Sequence, residues 1–87
     1  MKVQGVEIPQ VVQDDAVAFI KRQPSFRSFD LQRAIDAHPM IEELSWKPSG
    51  LAMRVADRII QQQRKAGNIG PGVEEKPRTA SWRWIHH

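Results

Sequence analysis

The chain of 87 residues contains no cysteine and only three histidines. Without cysteine, neither a disulfide nor a thiolate metal site can stabilise the fold. The histidines His38, His86 and His87 are too few and too scattered to predict a zinc site. His86 and His87 are either native or the remnant of a purification tag, so they carry no functional argument. No metal or other cofactor is predicted, and hydrophobic packing must hold the domain together.

The sequence also has no long hydrophobic run. Its longest stretch without a charged residue, 66–73, is too short to span a bilayer, and the N-terminus lacks the apolar run of a signal peptide. A cytoplasmic protein without membrane contact is therefore predicted. Its apolar content of 40% is enough for one small domain, 1–87, with one core, but not for a deep catalytic cleft.

No catalytic pattern is present in the sequence either. The acids occur as the adjacent pairs Asp14-Asp15 and Glu42-Glu43, which a helix turns away from each other, and no histidine is spaced to activate a nucleophile. The sequence therefore predicts no enzyme activity and no small-molecule substrate.

Positive charge is concentrated in the second half of the chain. Residues 1–44 carry five basic and seven acidic side chains, a balance of −2, whereas residues 45–87 carry eight basic and three acidic, a balance of +5. Clustered Lys and Arg are typical of proteins that bind phosphate groups, because each neutralised phosphate releases condensed counterions. The alternative is an ordinary solvated basic surface.

Two helices are predicted in the first half. Residues 1–9 are expected to be a flexible segment, after which Pro9 can open a helix to about residue 23. Its inward stripe is Val12, Ala16, Phe19, Ile20 and Gln23. Ser28 is a good N-cap for a second helix, 29–37, whose inward residues are Leu31, Ala34 and Ile35. The link 40–46 is longer than the usual helix-turn-helix corner and could hold one helical turn, and Trp46 is expected to pack onto the core.

A third helix, 49–66, is strongly amphipathic. One half of its helical wheel is apolar and consists of Leu51, Ala52, Val55, Ala56, Ile59, Ile60 and Ala66. The other half holds Met53, Arg54, Asp57, Arg58, Gln61, Arg64 and Lys65. Arginine can bind guanine and glutamine can bind adenine through two hydrogen bonds, so this face is suited to reading DNA. Ser45 or, preferably, Ser49 would cap the helix. Lys47 beside its first turn would suit a phosphate, and Ser49 is also predicted to contact DNA. A plain helical bundle could show the same charged outer face.

A pair of strands is predicted to follow. Gly67-Asn68 ends the helix, Ile69 begins a strand, and Gly70-Pro71-Gly72 is expected to interrupt regular pairing. An exposed loop, 73–79, leads to a returning strand, 80–85, with Trp82 and Trp84 on one face. Arg78 in the loop and Arg83 on the strand are placed to meet phosphates, which Glu74 and Glu75 would repel.

Three segments carry a resemblance to a known family: Ser28-Phe29-Asp30-Leu31, the helix end Arg64-Lys65-Ala66-Gly67-Asn68-Ile69, and the closing Trp82-Arg83-Trp84. Together with the order helix, short strand, helix, basic helix and hairpin, they resemble the winged helix-turn-helix superfamily, especially small bacterial, prophage or plasmid regulators, over residues 10–85. The resemblance implies an α+β fold of three helices with a C-terminal β-hairpin wing. It also implies duplex DNA binding by the third helix, here through Lys47, Arg54, Arg58, Gln61 and Lys65.

Two other functions remain open from the sequence. Winged helices also serve as protein-interaction adaptors, a reading favoured by Asp57 on the polar face and the acids of the wing. RNA binding is less well supported, because the aromatic residues lack the pattern of a stacking platform. A single domain of this size reads few base pairs, so a homodimer or a protein partner would normally be required for specificity.

Overall fold

A computed structural model describes residues 1–72 and 81–85 of the chain. The predicted loop 73–79, with Glu74, Glu75 and Arg78, and the terminal His86 and His87 lie outside the described residues. The fold is α+β, as predicted, and its elements in chain order are β1 (Lys2–Val3), β2 (Val6–Glu7), α1 (Gln10–Arg22), β3 (Phe26–Arg27), α2 (Ser28–Asp36), α3 (Pro39–Glu42), α4 (Leu51–Lys65), β4 (Ile69–Pro71) and β5 (Ser81–Trp84). Among these helices, none is long and apolar enough to cross a bilayer.

Residues 2–7 form a hairpin, whereas residues 1–9 were expected from the sequence to be a flexible segment. β1 pairs with β2 in antiparallel register, with Val3 opposite Val6. Gln4 and Gly5 form the tip, with φ of 51° and 80°, and positive φ at both central residues is the geometry of a tight two-residue turn. Val3, Val6 and Ile8 are buried in the main core, so the hairpin is an integral part of the domain.

The first two long helices pack as their apolar stripes predicted, with small changes at their ends. Val12, Ala16 and Ile20 of α1 are buried, as are Leu31 and Ile35 of α2, while the outer members of both stripes are half-buried. Ser28 is not the N-cap of α2 but its first residue. The capping interaction comes instead from Asp30, whose Oδ2 accepts a hydrogen bond from the Arg27 backbone amide at 3.0 Å.

A fourth helix, α3, occupies the link in which one helical turn was anticipated. His38 caps it, because its Nδ1 accepts a hydrogen bond from the Met40 backbone amide at 3.2 Å. The other ring nitrogen, Nε2, lies 2.8 Å from Asp15 Oδ2 on α1. The described residues therefore hold four helices rather than three, and the extra turn buries Ile41 in the core.

α4 begins later than predicted. Neither Ser45 nor Ser49 caps it; the N-cap is Gly50 in the left-handed region, with φ of 76°. Six of its seven predicted core residues are buried: Leu51, Ala52, Val55, Ala56, Ile59 and Ile60. Ala66 is exposed because the helix ends at Lys65 and turns away at Gly67, where φ is 77°. Trp46, expected on the core, is instead 62% exposed in the link before α4.

Strands β3, β5 and β4 form an antiparallel sheet in that order. Phe26 pairs with Trp82, and Gly70 pairs with Arg83. The prediction that residues 70–72 interrupt pairing is wrong, because Gly70 and Pro71 belong to β4 and the Gly72 amide donates to Ser81 O at 2.9 Å. A proline is compatible with this position because β4 is an edge strand. Trp82 and Trp84 pack half-buried against the core.

Candidate nucleic-acid interface

The outward face of α4 carries a straight row of polar side chains. Arg54, Arg58, Gln61 and Lys65 are all exposed, and their spacing places them within an arc of about 60° on the helix surface. We call these four residues the polar row. At a rise of 1.5 Å per residue, the row is about 17 Å long. It presents three positive charges and one amide along a single line, which matches the sequence prediction for this face.

The neighbours of the polar row on α4 are engaged with other parts of the fold. The Arg64 guanidinium carbon lies 5.9 Å from the centre of the Trp82 ring. Asp57 Oδ1 accepts a hydrogen bond from the Ser28 hydroxyl at 3.5 Å, a long contact that ties α4 to the start of α2. By contrast, no side chain of the polar row makes a hydrogen bond or salt bridge to any other group within residues 1–72 and 81–85. The row is therefore open to a partner over that part of the chain.

The tip of the N-terminal hairpin lies beside the polar row. Val3 and Gln4 line a groove of about 250 Å³ together with Arg54, Asp57, Arg58 and Gln61. Sequence reasoning missed Gln4 because it treated residues 1–9 as flexible. The run Val3-Gln4-Gly5-Val6 was the sequence signal for this hairpin. Two residues that end in glycine, placed between two β-branched residues, are typical of a two-residue hairpin turn.

A charge pair helps to close this hairpin. The Met1 ammonium group lies 3.0 Å from Glu7 Oε2, and the Ile8 amide donates to Met1 O at 2.7 Å. The hydrogen bond and positive charge of the ammonium group hold the pKa of the Glu7 carboxyl below its ordinary value. The two ends of the hairpin are thus joined at the side away from its Gln4-Gly5 tip.

Lys47 and Ser49 are exposed but belong to a different place from the polar row. Lys47 lines a second groove, of about 330 Å³, with Gln32 and Asp36 of α2 and Met53 of α4. Ser49 lies in the link before the Gly50 cap and makes no capping hydrogen bond. The structure therefore does not bring these two residues into the groove that holds Arg54, Arg58 and Gln61.

Arg83 is exposed on β5, on the strand face opposite Trp82 and Trp84. Its Nε donates a hydrogen bond to Pro71 O at 3.2 Å, across the pair of strands. This bond fixes the side chain on the sheet and leaves its terminal amino groups for another acceptor. Arg78, the other predicted contact of this region, lies outside the described residues.

The histidine and acidic side chains of the described residues form neither a catalytic nor a metal-binding arrangement. The His38–Asp15 pair uses both ring nitrogens of the histidine for internal bonds. Over residues 1–72 and 81–85, no three His, Asp or Glu side chains are grouped so that they could hold a metal ion. The polar row and its groove are the described arrangement whose chemistry best fits a ligand.

Comparison with known proteins adds no relative: no family model, curated sequence or solved structure matches this chain. The interpretation of the site therefore depends on its own residues. Cations in a row can neutralise phosphates, and Arg and Gln side chains can hydrogen-bond to base edges.

Proposed function

We propose that this protein binds duplex DNA through the polar row of α4. The observation that carries the proposal is the exposure of Arg54, Arg58, Gln61 and Lys65 in one line on a helix whose opposite face is buried. An α-helix with its side chains is about 10–12 Å across, and the major groove of B-DNA is about 12 Å wide. Such a helix fits the groove and brings Arg and Gln side chains within reach of base edges.

The arrangement around α4 supports the same proposal. Apart from the additional helix α3 between α2 and α4, the order α1, β3, α2, α4, β4, β5 is compatible with the order of elements that the winged-helix resemblance implies, in which β4 and β5 would be the wing. Arg83 on β5 would then meet a phosphate while the polar row meets bases, because backbone contacts position a protein and base contacts specify the sequence. Lys47 and Ser49 would lie at the edge of the interface, because they are in or near the groove between α2 and α4 and not in the groove of the polar row.

In this role the protein is a small transcriptional regulator or an accessory DNA-binding protein of a bacterium, phage or plasmid, acting in the cytoplasm. One helix reads only a few base pairs, so operator specificity calls for a homodimer or a partner protein.

The proposal is tested by replacing Arg54 and Arg58 together with alanine. Loss of affinity for a preferred duplex, selected from a random library, should be about 1 to 3 kcal/mol per lost base contact. The matched control removes two exposed arginines elsewhere, Arg22 of α1 and Arg33 of α2. If the two double variants bind alike, net charge explains the binding, and if neither weakens it, the polar row does not contact DNA.

A second candidate function is supported by one specific observation. Five large apolar side chains are exposed among the described residues, and they include Phe29 at 60%, Trp46 at 62% and Met53 at 43%. Aromatic residues and methionine are enriched where proteins bind one another, so this set suits an adaptor that docks a protein partner. Replacing Trp46 with alanine would weaken such docking and leave DNA affinity unchanged.

A further inference from the structure

The tip of the N-terminal hairpin places a polar residue, Gln4, beside the polar row. Gln4 lines the same groove as Arg54, Arg58 and Gln61, although it lies at least fifty residues before each of them in the sequence. Its side chain is exposed, and a glutamine amide offers two N–H donors and one acceptor oxygen. A ligand lying on the polar row would therefore meet Gln4 as well.

Several contacts fix the position of this tip. Val3 and Val6 on the two strands are 4% and 8% exposed, and Ile8 behind them is 1% exposed. The Met1–Glu7 pair closes the open end of the hairpin. A tip held in this way can present a side chain without a large loss of conformational entropy on binding.

DNA geometry indicates which group would meet the tip. A helix about 10–12 Å across nearly fills a major groove about 12 Å wide, so a sugar-phosphate backbone runs along each of its sides. An element that stands beside the helix, as the hairpin does, faces that backbone rather than the base edges. Glutamine N–H groups are common donors to phosphate oxygens.

We propose that Gln4 at the hairpin tip is a phosphate contact, which holds the DNA strand running beside α4. This inference rests on the proposed function of the polar row. Arg54 and Arg58 line the groove against a single acid, Asp57, so the local charge is positive and favours an anionic backbone. Because a phosphate carries no sequence information, Gln4 contributes affinity to every duplex equally.

The test changes the charge at the tip in both directions. Gln4→Lys adds a cation at the phosphate, so the slope of log affinity against log salt should become steeper by about 0.9. Gln4→Glu should weaken binding to random and preferred duplexes by the same factor, because it places an anion against the backbone. Both variants keep a side chain at the positive φ of this position, and thermal melts check that the hairpin remains folded.

The matched control makes the same two changes at Gln10. This glutamine is also exposed, but its amide donates to Asp14 Oδ1 at 3.0 Å at the start of α1 and does not line the groove. Gln4→Lys and Gln10→Lys give the same net charge, so a steeper slope only for the first supports contact. Equal slopes and equal losses for the two positions would overturn the proposal.

This result can be separated from the test of the polar row. If the Arg54/Arg58 variant loses affinity while the Gln4 variants follow their Gln10 controls, the hairpin inference fails and the proposed function stands. If the Arg54/Arg58 variant binds normally, the proposed function fails, and the hairpin inference fails with it.

Discussion

The fifteen-residue helix α4 has two faces, which consist of different side chains and have different roles. Its inner face is aliphatic, and Val55 and Ile59 on it are 0% and 1% exposed. Its outer face is the polar row, whose side chains form no salt bridge with an acid among the described residues. The inner face stabilises the domain, whereas the outer face adds little to stability and is available for binding. Mutations should therefore separate the two properties within one helix.

The largest effect is expected from a change on the inner face. Ile59→Ala removes three buried carbon atoms from the main core, which α4 shares with α2 and the hairpin. A truncation of this kind costs about 2 to 5 kcal/mol, a large part of the stability of a small domain. Chemical denaturation of the purified variant measures it.

The control for this prediction is Gln62→Ala, on the exposed surface of the same helix. Such a surface change should alter the free energy of unfolding by less than about 0.5 kcal/mol. Equal losses at the two positions would mean that the inner and outer faces of α4 have been wrongly assigned.

A smaller loss of stability is expected from a change at His38, which caps α3 and belongs to neither face of α4. His38→Ala removes the side-chain acceptor for the Met40 amide at the start of α3, and loss of such a cap costs about 0.5 to 2 kcal/mol. DNA affinity should stay unchanged below the melting transition, because His38 lies outside the groove of the polar row. Asp15→Asn, which keeps the cap and removes the charge beside it, should be milder. A loss of DNA affinity in His38→Ala would show that affinity depends on the overall stability of the domain and not only on the side chains of the outer face of α4.

Strand β5 provides a test of binding without base contacts. Arg83→Ala should flatten the slope of log affinity against log salt by about one unit, since one phosphate contact is lost. Its hydrogen bond to Pro71 is exposed, so the melting temperature should change little. An unchanged slope would remove β5 from the interface and leave the polar row as the main contact.

The smallest effect concerns acid pH and the N-terminal hairpin. The Glu7 pKa lies below its ordinary value of 4.5 because of the Met1 ammonium group. A carboxyl whose pKa is lowered in the folded state stabilises the fold at a pH above its ordinary pKa. This stabilisation is lost as the pH falls through the lowered pKa of the folded state. Acetylation of the amino group should return the Glu7 pKa towards its ordinary value in an NMR titration. No change on acetylation would mean that the pair does not form in solution.

The parts of the fold with clear periodicity were predictable. Six aliphatic and alanine side chains at helical spacing identified both faces of α4, and the alternation of Trp82 and Trp84 identified β5. Helix ends were less predictable, because Gly50 in a left-handed conformation, and not a serine, is the N-cap of α4. The exposure of Trp46 was not predictable either, because a large aromatic residue in a small domain is usually expected to pack on the core.

The N-terminal hairpin was less predictable than α4 or β5, because it consists of very few residues. Val3, Val6 and Ile8 give no extended period, and Gln4-Gly5 is a weaker turn signal than Asn-Gly. Of the candidate site, the polar row followed from the helix alone. The contribution of Gln4 did not, because its place beside α4 depends on a contact between distant parts of the sequence.

An NMR titration with a short duplex, following the side-chain signals of Arg54, Arg58 and Gln61, shows whether the polar row binds DNA. We expect their guanidinium and amide resonances to shift most, with smaller changes at Gln4 and Arg83. Shifts confined to Phe29, Trp46 and Met53, or no shifts at a salt concentration where the duplex binds, would contradict this expectation.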